Sequence, residues 1–327
     1  TNAVELKTLG TVGFNRSAGQ VASNTGNFYH EIYHKVASDS TSRVQFSITY
    51  GHKEGKGSVA YSNAVAGKSP SSTIYGQYRN LVFGDEEVDF NFAGQTSDDI
   101  YVIAIDRARY KEKLFPGTFN LTLSSGSGGT ADPNKKLYLT DNSNDISTVS
   151  YVDAGRVYDI VSGSNGTSAG QTITNGYNSQ GGTYGKFLPD VGVILLSGKA
   201  LNNTLNLQGI DIATAIGTTA STEKNLDKFY NVINYGNSFK LQSEETISSN
   251  FIFVRVRNSE FNYSTNPSNI TSSGELRHDV MINSPQSYIT TVGLYNDNND
   301  LLGVAKLSRP LLKDFTKEAL VRIKLDY

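Results

Sequence analysis

Apolar residues come in this chain in pieces of strand length, and turn formers close each piece. Residues 100–105 read Ile-Tyr-Val-Ile-Ala-Ile with no polar interruption, as a strand covered on both faces does. Residues 44–50, Val-Gln-Phe-Ser-Ile-Thr-Tyr, alternate cleanly, which suits a strand covered on one face. Residues 28–36 also read with period two, placing Phe28, Ile32 and Val36 on one face with His30 and His34. The turn-like Ser38-Asp39-Ser40-Thr41-Ser42 then joins the two segments as a hairpin. Val191-Gly192-Val193-Ile194-Leu195-Leu196 is a second buried-strand candidate, and Phe119-Asn120-Leu121-Thr122-Leu123 follows a turn at Pro116-Gly117. Four more strands are expected at 251–256, 288–295, 301–307 and 320–325. Asn296-Asp297-Asn298-Asn299-Asp300 links the middle two as a hairpin turn, because Asn and Asp tolerate left-handed backbone angles.

One helix is expected, at 222–234, where Leu226, Phe229, Tyr230 and Ile233 fall at helical spacing and Gly236 can close it. Abundant Gly, Asn, Ser and Thr beside 19 Tyr and 15 Phe suits many short strands joined by polar loops. The expected fold is therefore mainly β: two or more small β-sandwich or barrel-like domains with long polar loops and about one short helix. A length of 327 residues allows about two to three domains. Ser124-Ser125-Gly126-Ser127-Gly128-Gly129-Thr130 reads as a linker or loop tip, and the chain beyond it, to about Ser249, is richest in polar turn formers. The domain plan that follows is an N-terminal β domain at 1–125, an Asn/Gly/Ser-rich insert with the helix at 126–249, and a C-terminal β domain at 250–327. No fixed-period repeat points to a solenoid or propeller.

Cysteine is absent, which removes disulfides, thiolate metal sites and cysteine nucleophiles together. The 29 Lys and Arg nearly balance the 31 Asp and Glu, so no long-range field draws in nucleic acid or an anionic membrane. No apolar run approaches the roughly 18 residues of a membrane span, and Thr1-Asn2-Ala3-Val4-Glu5 does not open like a secretory leader. Folding in a reducing cytoplasm, without cofactor, nucleic acid or membrane as partner, is the expectation.

Catalytic signals are sparse. His30-Glu31-Ile32-Tyr33-His34 matches H-E-x-x-H, in which two histidines one helical turn apart bind zinc and the glutamate activates water. That chemistry needs a helix and a third ligand, whereas this segment alternates like a strand, so two surface histidines on a half-exposed strand are expected. Gly51-His52-Lys53-Glu54-Gly55-Lys56-Gly57-Ser58 resembles a phosphate loop but has Lys56 where that loop needs glycine, and reads as a hairpin tip. Asp85-Glu86-Glu87-Val88-Asp89 and Asp141-Asn142-Ser143-Asn144-Asp145 lack the order of a calcium loop and read as solvated turns. Arg107, Arg109, Lys111 and Lys113 alternate and would form a basic stripe on one face of an extended segment, suited to an acidic protein surface or to a protected sheet edge. Arg255 with Arg257, and Arg322 with Lys324, share that spacing.

Tyr288-Ile289-Thr290-Thr291-Val292-Gly293-Leu294-Tyr295-Asn296-Asp297, followed by Leu301-Leu302-Gly303-Val304-Ala305-Lys306-Leu307, resembles a hairpin of phage baseplate and tail-fibre attachment proteins. Gly303 stands where those have alanine. Ile74-Tyr75-Gly76-Gln77-Tyr78-Arg79-Asn80-Leu81, Arg109-Tyr110-Lys111-Glu112-Lys113-Leu114-Phe115-Pro116-Gly117-Thr118-Phe119 and Tyr184-Gly185-Lys186-Phe187-Leu188-Pro189-Asp190 are similar to virion structural proteins of large contractile-tailed phages. The resemblance implies a non-enzymatic tail or baseplate component, made and assembled in the host cytoplasm, whose partners are other virion proteins in a symmetric multi-copy assembly. A receptor-facing fibre or capsid decoration that binds cell-surface glycan is the alternative. Expected contact residues are Tyr288, Leu294, Tyr295, Leu302 and Arg309 around the hairpin, with the basic stripe and the polar insert beside them.

Overall fold

Alternation and turn chemistry do produce a mainly β chain, seen in a computed structural model that describes residues 14–16, 28–36, 38–55, 70–127, 130–169, 183–203 and 225–326. The chain divides into two compact units, Thr1–Glu245 and Thr246–Tyr327. Unit 1 begins with β1 (Asn15–Arg16), β2 (Tyr29–Tyr33), β3 (Val44–His52), α1 (Pro70–Phe83), β4 (Asn91–Phe92), β5 (Gln95–Thr96), β6 (Asp99–Ile105) and a 3-10 turn (Arg107–Arg109). It continues through β7 (Lys113–Leu114), β8 (Asn120–Ser127), β9 (Thr130–Asp141), β10 (Ser150–Val152), β11 (Gly155–Ser164), β12 (Thr167–Ser168), β13 (Gly185–Leu188) and β14 (Val193–Ser197). α2 (Gly198–Asn203), α3 (Asn225–Gly236), β15 (Ser238–Lys240) and β16 (Ser243–Glu244) complete it.

Among the described residues, twelve of these strands make one antiparallel sheet, ordered β1-β2-β3-β6-β14-β13-β11-β9-β8-β15, with β10 and β12 paired to β11. The sheet curls into a half-barrel. Its central strands are buried on both faces, as the uninterrupted apolar runs require. From β6, Tyr101, Ile103 and Ile105 enter one core with Phe46, Phe119, Phe187, Phe229 and Phe239. Ile100 and Val102 enter the other, with Tyr75, Val82, Phe90 and Phe92. α3 supplies Leu226, Phe229, Val232 and Ile233 to the first core, and α1 supplies Tyr75 and Val82 to the second. A Cβ at Gly51 of β3 would meet the Tyr75 backbone nitrogen at 2.9 Å, so the glycine lets α1 lie directly on the strand.

The expected helix is present as α3, within residues 222–234 and running on to Gly236; residues 222–224 lie outside the described residues. α1, the largest addition to the expected helix content, carries Pro70 as its first residue and Gly84 (φ 67°) just past its end, where the Gly84 N–H closes on Asn80 O at 2.9 Å. The expected boundary at 125/126 separates nothing. It falls inside the β8–β9 hairpin, whose register Leu121↔Leu139 to Ser127↔Thr130 carries one sheet across it. Of the insert expected at 126–249, residues 128–129, 170–182 and 204–224 lie outside the described residues.

Unit 2 is built differently. β17 (Ser249–Val256) pairs with β20 (Ala319–Asp326), β18 (Gln286–Tyr295) pairs with β19 (Leu301–Asp314), and a short α4 (Asp279–Asn283) precedes β18. Both pairs are antiparallel two-stranded sheets. The expected turn joins β18 to β19: Asn296 Oδ1 accepts the N–H groups of Asn298 at 3.0 Å and Asp300 at 2.8 Å, and Asn299 takes φ 63°. No helix among the described residues is long and apolar enough to cross a membrane.

Candidate functional site

The β18–β19 ribbon has side chains on two faces and covers neither with its own strands. Gly293, Tyr295 and Leu301 share one face: a Cβ at Gly293 would meet the Tyr295 ring at 3.0 Å and Leu301 at 3.6 Å. Val304 pairs with Gly293 and Lys306 with Thr291 in the same register. Tyr295 is 62% exposed, Leu302 70% and Val304 55%. Leu294 lies beside Gly303 on the opposite face and is half-buried. Tyr288 is exposed, as are Phe251 and Phe253 of β17 and Leu320 of β20. Between Ile289 and Thr291 the partner strand runs from Leu311 back to Lys306, so residues 307–310 bulge out and carry the exposed Arg309 and Pro310.

One buried cation fixes the base of the ribbon. Lys313 is fully buried, and its Nζ donates to Asn262 Oδ1 at 2.6 Å, Asp314 O at 2.9 Å and Asn258 O at 3.0 Å. Three acceptors satisfy the ammonium, which ties the 258–262 loop to β19. Sequence reading missed Lys313, since nothing in Leu311-Leu312-Lys313-Asp314 marks the lysine as buried.

The expected basic stripe is not formed. A 3-10 turn at Arg107–Arg109, capped by the Asp106 carboxylate, breaks the extended backbone that would have set the four cations on one face. Arg107 folds over the Tyr110 ring at 4.6 Å and donates to Tyr110 O, while Arg109 is half-buried. Lys111 pairs with Glu245 at 2.7 Å, and Lys113 lies opposite Glu244 in β7–β16.

H-E-x-x-H sits on β2, a strand. His30 is fully buried, not a surface residue, with Nε2 3.0 Å from Asp227 Oδ1 of α3, whereas His34 Nδ1 accepts the Arg43 N–H at 3.1 Å. Each imidazole is thus committed to a different part of the fold. No group of three or more His, Asp or Glu among the described residues could hold a metal ion. In the glycine-rich tip, Glu54 is exposed and residues 56–58 lie outside the described residues. Asp141 is not solvated: it is fully buried, and its carboxylate accepts Gly117 N–H at 2.9 Å and Ser143 N–H at 3.0 Å, so it organises a turn. Asp85, Glu86, Glu87 and Val88 are exposed, and Asp89 joins Lys53 to Arg79.

A second feature no motif announced lies where β3, β6 and α2 meet. Asp99 is buried, its Oδ1 is 3.2 Å from Ser97 Oγ, and its Oδ2 has no hydrogen-bond partner among the described residues. A Cβ at Gly198 would overlap that oxygen, so any side chain at the start of α2 would have to displace the Asp99 carboxylate. Burial pushes the Asp99 carboxyl up to about 7. Burial, and then the Asp99 charge, raise the neighbouring Tyr50 phenol.

Along β8, β9 and β11 a groove of about 620 Å³ is lined by Asn120, Thr122, Tyr138, Ser162, Ser164 and Thr167 among others. Comparison with protein-family models, with curated proteins and with solved structures finds no match.

Proposed function

We propose that this chain is a structural protein that works by docking onto other protein subunits, with unit 2 as its docking element. The observation that carries this reading is where the apolar surface lies. Phe251, Phe253, Tyr288, Tyr295, Leu302 and Leu320 stand exposed on paired strands of unit 2, while among its described residues only Val256, Ala319, Val321 and Ile323 join the buried hydrophobic residues. An isolated two-stranded ribbon is marginal in water, and clustered exposed apolar side chains are what subunit interfaces cover. The resemblance of the 288–307 hairpin to phage attachment proteins makes a virion, in its tail or baseplate, the assembly in question.

The test is the protein inventory and density map of purified particles. The reading expects this chain in a fixed, repeated copy number, with Tyr295 and Leu302 against a neighbouring subunit. Its absence from finished particles, or turnover of a peptide or glycan by the isolated chain that one substitution abolishes, would contradict it.

A second reading rests on the groove. Amide and hydroxyl side chains beside the 56% exposed Tyr138 ring are the groups that hydrogen-bond and stack on a neutral sugar. A receptor-facing, glycan-binding role predicts saccharide binding on an array that Tyr138→Ala removes.

A further inference from the structure

The β18–β19 ribbon carries charges of opposite sign at two stations. Asp297 and Asp300 sit at its tip, and Lys306 and Arg309 lie further along β19, all four exposed. At about 3.3 Å per residue, Asp300 and Lys306 are roughly 20 Å apart, too far to pair within the ribbon. Ion pairs among the described residues of unit 2 are Arg255–Glu318, Lys317–Asp314 and Lys324–Asp326, and none uses these four side chains. Between the stations lies the apolar face of Tyr295, Leu301 and Val304, with Gly293 opposite Val304 keeping it low.

An acidic end and a basic station on one ribbon are complements of each other, so the surface that matches both at once is the same ribbon reversed. We infer that the occupant of this face is a second copy of the chain, docked about a two-fold axis with the two ribbons antiparallel. Asp297 and Asp300 of one copy then face Lys306 and Arg309 of the other, twice over by symmetry. Tyr295, Leu301 and Val304 of both copies meet between them, with the axis near Gly303, midway between the stations. A parallel arrangement would instead crowd the acidic tips together, which like-charge repulsion opposes. A two-fold contact of this kind is self-complementary and closes, so it yields dimers and not fibres. The inference rests on the docking role proposed above and names the partner for it.

Sedimentation of the full chain tests it. The parent is expected to be a dimer, and Asp297→Lys with Asp300→Lys, or Lys306→Glu with Arg309→Glu, should each weaken dimerisation about tenfold or more, roughly the value of one well-placed charge pair. Mixing the two variants should restore dimers as heterodimers, which also shows that both have folded. A parent that stays monomeric, or a dimer that neither charge reversal weakens, would overturn the inference. A monomeric parent that is still found in purified particles would leave the docking role standing while removing the self-pairing.

Discussion

β6 in unit 1, an almost wholly apolar strand, and β18 in unit 2, which mixes apolar residues with Gln, Ser and Thr, meet opposite fates. β6 has β3 and β14 on its two edges and a hydrophobic core on each face. β18 has one partner strand and no fully buried side chain. The difference teaches that alternation and turn chemistry specify a strand and its hairpin partner, but not which surface completes them. In unit 1 the same chain completes β6, through α1, α3 and the eleven other strands of the sheet. In unit 2 that task falls, under the proposed function, to another subunit.

Substitutions in the two units should expose this contrast, most strongly in the core. Phe229, fully buried on α3 and 4.7 Å from the Tyr101 ring, anchors the interior of the half-barrel. Phe229→Ala should cost about 3–5 kcal/mol in urea unfolding. A loss within experimental error would break the claim that unit 1 stands on its own core.

Asp99 gives unit 1 a pH dependence that unit 2 should lack. Its folded value, about 7, lies above the ordinary 3.8, so between those two the native state holds a proton that the unfolded chain has released. The stability it contributes is complete below pH 3.8, is lost as pH rises towards 7, and changes no further above that. At about 1.36 kcal/mol per pH unit the loss is at most roughly 4 kcal/mol. Asp99→Asn should flatten the unfolding free energy over this window and leave the variant more stable than the parent at pH 8. An unchanged slope would remove Asp99 as its source.

Lys313 is where unit 2 most resembles unit 1. Lys313→Met strands three acceptors, Asn262 Oδ1, Asn258 O and Asp314 O, and should cost about 1–3 kcal/mol, with faster amide exchange confined to the 258–262 loop. Equal exchange in parent and variant would show that the lysine does not hold the loop. The smallest effect belongs to Phe253, 62% exposed on β17: Phe253→Ala should change unfolding of the monomer by no more than about 0.5 kcal/mol. A core-sized loss would mean that unit 2 already buries its outer face.

Much of the fold was legible because its information is local. The runs at 44–50 and 100–105 became β3 and β6, and the Asn/Asp turn at 296–300 formed where its side chains can cap their own backbone. α1 was not read, although Ile74, Tyr75, Tyr78 and Val82 carry helical spacing between Pro70 and Gly84, because Gly76 and the Ser-Ser-Thr start weaken the propensity signal. Ser124 to Thr130 reads as a linker or a loop tip, and the pairing of β8 with β9 up to Ser127↔Thr130 decides for the tip of a hairpin; composition alone does not separate the two. The basic stripe failed because spacing alone cannot report a 3-10 turn. Lys313, Asp99 and Asp141 were invisible for a related reason: a charged residue's burial is decided by elements far along the chain.

Amide hydrogen exchange along β18–β19, measured over a series of protein concentrations, tests most directly whether a second copy completes the ribbon. Protection at residues 288–295 and 301–312 should rise with concentration, while that of β6 and β14 stays constant. Ribbon protection that is independent of concentration would contradict the account.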